Sequence, residues 1–257
     1  MELTIIFIIV VIHELGHYTA AKLMKWRIRR ISLWVFGGVM ETDEHASKPI
    51  KQELMITLAG PLQHVWIHFL ILACSSYDIL PESVITTGLQ YNTTILFFNL
   101  LPIWPLDGGK LLQLFLSSIL PFRRAHSLMI IVSICFSLIS TLIFLIYFPF
   151  TLSAMMLAGF ILWENRLEWK RRYYIFIRFL LKRHLDNPDL KRTRPIVVRP
   201  DTPLMQVFSL FKRTHYHRIH VKDKGIFDEL VDERDCLHTY FKLKHYQSRI
   251  GELTDYR

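Results

Sequence analysis

Residues 127–148 read SLMIIVSICFSLISTLIFLIYF, a run without a single charged side chain. About 20 apolar residues in helical form cross the hydrocarbon core of a bilayer. A chain carrying such a run is therefore expected to fold in a membrane. Four further stretches are read as spans. They are residues 3–24, 54–73, 91–117 (interrupted by Pro102, Pro105 and Gly108-Gly109) and the shorter 150–163. The expected architecture is an all-α polytopic membrane domain of about five spans, followed by a small α/β domain.

The charges between these stretches orient them. Residues 25–52 hold six Lys/Arg, 74–90 none, 118–126 two, and 166–194 ten. Basic residues gather on the cytoplasmic side of a membrane protein. The alternation therefore fits five crossings, with the N-terminus outside and the C-terminus in the cytoplasm. The formal net charge of +9 belongs mostly to these flanks, so the chain is not read as a nucleic-acid binder. No basic region precedes the apolar residues 3–12, and no cleavable signal peptide is expected. Cys74, Cys135 and Cys236 stand far apart, so neither a disulfide framework nor a cysteine zinc site is expected.

Inside the first apolar stretch lies His13-Glu14-Leu15-Gly16-His17. On a helix, positions i and i+4 share a face, so both imidazoles can hold one metal ion. Glu14 then stands where it can act as general base towards a water on that metal. Ionisable groups inside a membrane are costly and usually functional. The competing reading is a polar juxtamembrane helix end.

A catalytic zinc site takes three protein ligands and keeps one position open. Asp107 is the only carboxylate between Glu82 and Glu164, and it sits at the Pro/Gly break. Broken backbone at membrane depth is tolerated where it lines a cavity. The charge alternation sends this stretch and the first one inward, which puts Asp107 at about the depth of His13 and His17. A carboxylate capping a kinked helix is the alternative.

The HELGH motif in an early span, with Pro105-Leu106-Asp107-Gly108 after a Pro-rich break in a later one, resembles the site-2 protease family of intramembrane zinc metalloproteases. The turn at Gly37-Gly38, the acidic Glu41-Thr-Asp-Glu44, and Ala59-Gly60-Pro61-Leu62-Gln63-His64 add to the resemblance, which covers most of residues 1–165. It implies zinc held by His13, His17 and Asp107, with Glu14 activating water and Asn99 and Pro105 placing a substrate strand. It implies hydrolysis of a membrane-associated precursor, the pro-form of a sporulation sigma factor, under the control of inhibitory membrane partner proteins. The enzyme would lie in the cell membrane, in the membrane around the forespore, and a homo-oligomer is compatible with that setting. The branch is usually described with six spans, so a span ahead of residue 1 is expected to be missing here.

Gly37 and Gly38 also suggest an edge strand able to pair with an extended substrate, although a plain turn fits the same residues. His45, His64 and His68 read as polar lining; His215, His217 and His220 suggest a metal by count but read as side chains at a helix–strand junction of a soluble module. Residues 166–194 read as a basic linker. Within 195–257, Ile196–Val198 and Arg218–Val221 suggest short strands, and Pro203–Lys212 and Glu233–Phe241 suggest helices, with Asp201 or Thr202 capping the first. This part resembles a single CBS motif. The resemblance implies a regulatory cytoplasmic domain able to take ATP; a docking module without a ligand fits equally well. A CBS-gated membrane transporter or metal-ion channel is the rival function. It offers no reason for a Glu between two His at i, i+4, and no internal repeat of the kind common in transporters is present.

Overall fold

A computed structural model describes residues 2–34, 37–42, 48–147, 151–186, 190, 192–223 and 227–253. Phe36, His45 and the acidic residues 43–44 lie outside them. The chain divides into two compact units, residues 1–114 with 130–166, and residues 115–129 with 167–257.

In the first unit, α1 (Glu2–Leu23) leads through a two-stranded antiparallel hairpin, β1 (Ile28–Trp34) and β2 (Gly37–Thr42), to α2 (Ile50–Ser76) and α3 (Glu82–Asn99). The three helices pack on one another, and β2 lies against α1. The α1–α2 crossing is close because Gly16 faces Ala59: a Cβ at Gly16 would meet the Ala59 carbonyl oxygen at 2.6 Å. Small residues at such crossings let helices approach where lipid supplies no hydrophobic drive between them. The bend then passes into α4 (Asp107–Ile119), α5 (Phe122–Tyr147) and α6 (Leu152–Asp186). Among the described residues, α1, α2 and α5 are long and apolar enough to cross a membrane.

The expected third span is split at its Pro-rich break into α3 and α4. The expected fifth continues as helix through the residues read as a linker, as far as Asp186. A run of basic residues does not stop a helix when aromatic and aliphatic residues keep a helical spacing among them, as Phe176, Phe179 and Leu180 do; all three are buried.

The spans have an inverted polarity. Trp66, Phe69 and Leu70 on α2 and Leu138, Leu142 and Ile146 on α5 point outward and are exposed, whereas His13, His17, His64, Asn92 and Ser133 are buried. Contiguous exposed apolar faces over buried polar side chains suit lipid as the surrounding solvent.

The second unit holds a three-stranded sheet in the order β3 (Thr193–Val198), β4 (Tyr216–Asp223), β5 (Phe227–Asp232). β3 and β4 run parallel, joined through the short α7 (Leu204–Phe208); β4 and β5 are antiparallel, and α8 (Glu233–Phe241) follows. The first helix of the second unit after residue 195 is shorter than its sequence pattern. Pro203 precedes it in extended conformation, and no side chain caps it. A buried network ties α6 to this sheet. The Arg183 guanidinium binds both Glu233 carboxylate oxygens and the carbonyls of Lys212 and His215. Glu233 Oε2 also accepts from the His217 backbone N–H at 2.9 Å and from its Nδ1 at 2.8 Å.

Candidate metal centre

His13 and His17 project from one face of α1 and are buried to 3% and 5% exposure. Asp107, the first residue of α4, meets them from across the helix cluster. His13 Nε2 and His17 Nε2 are 3.1 Å apart, and Asp107 Oδ2 lies 3.1 Å from the first and 3.0 Å from the second. Among the described residues this is the one group of His, Cys, Asp or Glu that converges closely enough to hold a metal ion. Tetrahedral zinc with bonds of about 2.0–2.1 Å holds its ligand atoms about 3.3 Å apart. The triangle is within a few tenths of an ångström of that spacing.

The hydrogen bonds around the triangle decide what it lacks. His17 Nδ1 lies 2.8 Å from the Ile56 carbonyl oxygen, which only accepts. Nδ1 therefore carries the proton, and Nε2 presents a lone pair. Ile56 immediately precedes the residue whose carbonyl Pro61 leaves without a helical donor. On the other side, His64 Nδ1 lies 2.7 Å from Asn92 Oδ1, while Asn92 Nδ2 donates to the His64 carbonyl at 2.9 Å. Asn92 Oδ1 is thus the acceptor, and His64 Nδ1 carries a proton. His64 Nε2 is then an acceptor for His13 Nδ1–H at 3.1 Å. His13 Nε2 is left with its lone pair, as in His17. Three electron-pair donors face one another at about 3 Å, which is repulsive unless a cation stands between them. The residues present therefore fit a zinc ion.

Close packing shapes the floor of the site. A Cβ at Gly60 would stand 2.2 Å from His17 Nε2, so only glycine leaves room for that imidazole. At the start of α4, a Cβ at Gly108 would meet the Leu100 and Leu101 carbonyl oxygens at 2.2 Å, and one at Gly109 the Ile103 carbonyl oxygen at 2.6 Å. The bend ahead of Asp107 can fold tightly because both positions are glycine. Side chains from two further helices strap it. The Trp104 N–H donates to Ser133 Oγ at 2.7 Å, and Asn165 Nδ2 donates to the Trp104 carbonyl at 2.8 Å. Lys110, one turn into α4, holds the other carboxylate oxygen, with Nζ 3.0 Å from Asp107 Oδ1. That contact leaves Oδ2 to face the imidazoles.

Glu14 is half-buried beside His13 on α1 and close enough to Lys110 for their charges to interact. Asn99 ends α3 and donates to the Ile95 carbonyl at 3.1 Å, and Pro105 sits in the bend two residues before Asp107. Gly37 and Gly38 open β2, opposite Trp34 and Leu33 of β1. His64 reads from the sequence as polar lining and as the end of the Ala59–His64 motif, whereas Asn92, Lys110, Ser133 and Asn165 carry no expectation there. Lys110 carried a usable signal: it is the one basic residue between Lys51 and Arg123, three positions after the lone Asp. Among the other histidines, His217 packs within the Arg183–Glu233 network and belongs to no metal cluster among the described residues.

Comparison with known proteins places this geometry. The profile of Peptidase family M50 matches residues 1–79 and 76–140. Stage IV sporulation protein FB of Bacillus subtilis is 39% identical over 249 residues, 96% of this chain and 86% of that protein. A zinc metalloprotease of Methanocaldococcus jannaschii is 36% identical over 116 residues, 44% of this chain and 33% of that protein. Among solved structures, the site-2 protease from Methanocaldococcus jannaschii matches with a TM-score of 0.53 and 27% identity, covering 64% of this chain and 76% of that one. The transporter or metal-ion channel reading finds no support in these matches.

Proposed function

The chain belongs to peptidase family M50, the site-2 protease family, and from that membership we propose that it is a zinc metalloendopeptidase that cuts a membrane-associated protein within the bilayer. One observation carries the reading: His13 Nε2, His17 Nε2 and Asp107 Oδ2 converge at about 3 Å while each imidazole Nδ1 is taken up by another acceptor. Zinc held there would polarise the scissile carbonyl and lower the pKa of the attacking water. Glu14, next to His13 on the same helix, takes the proton from that water and passes it to the leaving amine. Lys110 keeps Asp107 turned towards the imidazoles.

A peptide bond in a helix is shielded, so the substrate must be extended where it is cut. β2 lies against α1 and is paired on one side by β1. Its Gly37-Gly38 end is proposed to pair with the unwound segment, with Asn99 and Pro105 positioning it from the bend. The resemblance read from the sequence implies the pro-form of a sporulation sigma factor as substrate. Likeness to a stage IV sporulation protein along nearly the whole chain supports that choice. Inhibitory membrane partners and the forespore membrane follow from the same resemblance, and a homo-oligomer is compatible with it. A five-span topology with a cytoplasmic C-terminus rests on the charge alternation. The small unit's strand–helix–strand–strand–helix order supports a CBS-like regulatory role, and ATP there rests on the resemblance alone.

The test is cleavage of a membrane-tethered pro-sigma factor by the purified chain in proteoliposomes. Activity should vanish on treatment with a chelator and return with zinc. Cleavage that survives complete removal of metal would overturn the proposal.

A further inference from the structure

Beside the three proposed ligands lie two buried polar side chains that the reaction does not touch. His64 on α2 and Asn92 on α3 are exposed by only 1% and 2%. Both sit among helices that turn apolar faces outward, where an unmatched polar group is costly. They are matched in one direction only. Asn92 Nδ2 is committed to the His64 carbonyl, which fixes the amide so that Oδ1 accepts from His64 Nδ1–H. That leaves His64 Nε2 bare, and it accepts from His13 Nδ1–H. A reversed chain would set the bare His64 Nδ1 against Asn92 Oδ1, two acceptors at 2.7 Å.

We infer that Asn92 and His64 are positioning residues that lock His13 in the tautomer whose Nε2 lone pair binds metal, an inference that rests on the zinc reading of the site. His17 obtains the same lock from the Ile56 backbone carbonyl, which no side-chain substitution removes. His13 depends instead on two side chains from two other helices. The pair therefore couples ligand readiness to the packing of α2 and α3 against α1. Hydrogen bonds to a ligand's second nitrogen typically change metal affinity by about 10- to 100-fold.

The experiment uses the full chain in detergent and measures zinc affinity by competition with a chromophoric chelator. His64→Phe should bind zinc about 10- to 100-fold more weakly than the parent protein. His64→Gln, whose side-chain carbonyl can accept from His13 Nδ1–H, should recover most of that loss. Asn92→Leu should fall between the two. The double variant should be no weaker than His64→Phe alone, because Asn92 acts through His64. A role in packing alone would give additive losses with no rescue by Gln. Unchanged affinity in folded His64→Phe would overturn the inference, as would additive losses. If His64→Phe does not insert, unchanged affinity in Asn92→Leu overturns it equally. If the parent protein binds no zinc, the proposed function falls, and the relay with it.

Discussion

At His13 and His17 the sequence spacing already brings two imidazoles to one helix face, because i and i+4 share it. Asp107 is the proposed third ligand, and that role can be separated from helix capping. Asn keeps the shape and the capping ability of Asp but removes the anionic ligand. Asp107→Asn should therefore lower zinc content and turnover together while insertion is unchanged, as read by metal analysis and cleavage on one preparation. Normal values for both would place the third ligand elsewhere. Gly60→Ala offers a steric counterpart: its methyl group would enter the space of the His17 imidazole, and zinc should be lost with every ligand still present. These residues were readable in the sequence because ionisable groups are conspicuous in apolar stretches. His64 and Asn92 were not, since their pairing depends on how α2 and α3 pack, which no spacing along the chain reveals. Lys110 stood in plain view, but a lysine near a helix end more often extends its charge towards water.

At the scale of elements, the bend between α3 and α4 is held from outside itself. Asn165 on α6 donates to the Trp104 carbonyl and to Ile161, so Asn165→Leu leaves the part-buried Trp104 carbonyl oxygen without that donor. A loss of about 1–3 kcal/mol in stability is expected, seen as a lower denaturation midpoint in detergent. The break itself was readable from its prolines and glycines; the straps were not, because they come from residues 29 and 61 positions away. In the soluble unit, α8 begins and ends as its sequence pattern indicates, at Glu233 and Phe241. Its first residue is the centre of the buried network. Burial pushes the His217 imidazole below its ordinary value, with the Arg183 charge acting in the same direction against the Glu233 contact. For Glu233, burial would raise the carboxyl, but the His217 hydrogen bond and the Arg183 guanidinium outweigh it and hold it below the usual range. Both groups bind protons more weakly folded than unfolded. Their contribution to stability is full above about pH 6.5, the unfolded imidazole value, and declines as pH falls, first through His217 and then through Glu233. Protection of the β4 amides, expressed relative to the intrinsic exchange rate at each pH, should fall below about pH 6.5, and His217→Gln should flatten the upper part of that profile. A profile unchanged by this substitution would remove His217 as the cause.

For the whole molecule, lipid is the solvent that makes the fold intelligible: apolar faces turn outward and the ligands turn inward. The charge alternation implies that Ser76 and Arg172 lie on opposite sides of the membrane. Reporter fusions at the two positions should give opposite signals, and matching signals would break the shared depth of His13, His17 and Asp107. Three helices satisfy the length and composition of a span among the described residues. The five stretches read from the sequence also include 91–117, which is broken between α3 and α4, and the shorter 150–163, which from Leu152 on lies within α6. Glu14→Gln separates the proposed metal site from the proposed proton transfer, and zinc content and turnover are read on one preparation. One zinc per chain, as in the parent protein, with cleavage reduced by at least about 100-fold, is the expected result; full cleavage in Glu14→Gln would rule out Glu14 as the base and with it the protease mechanism.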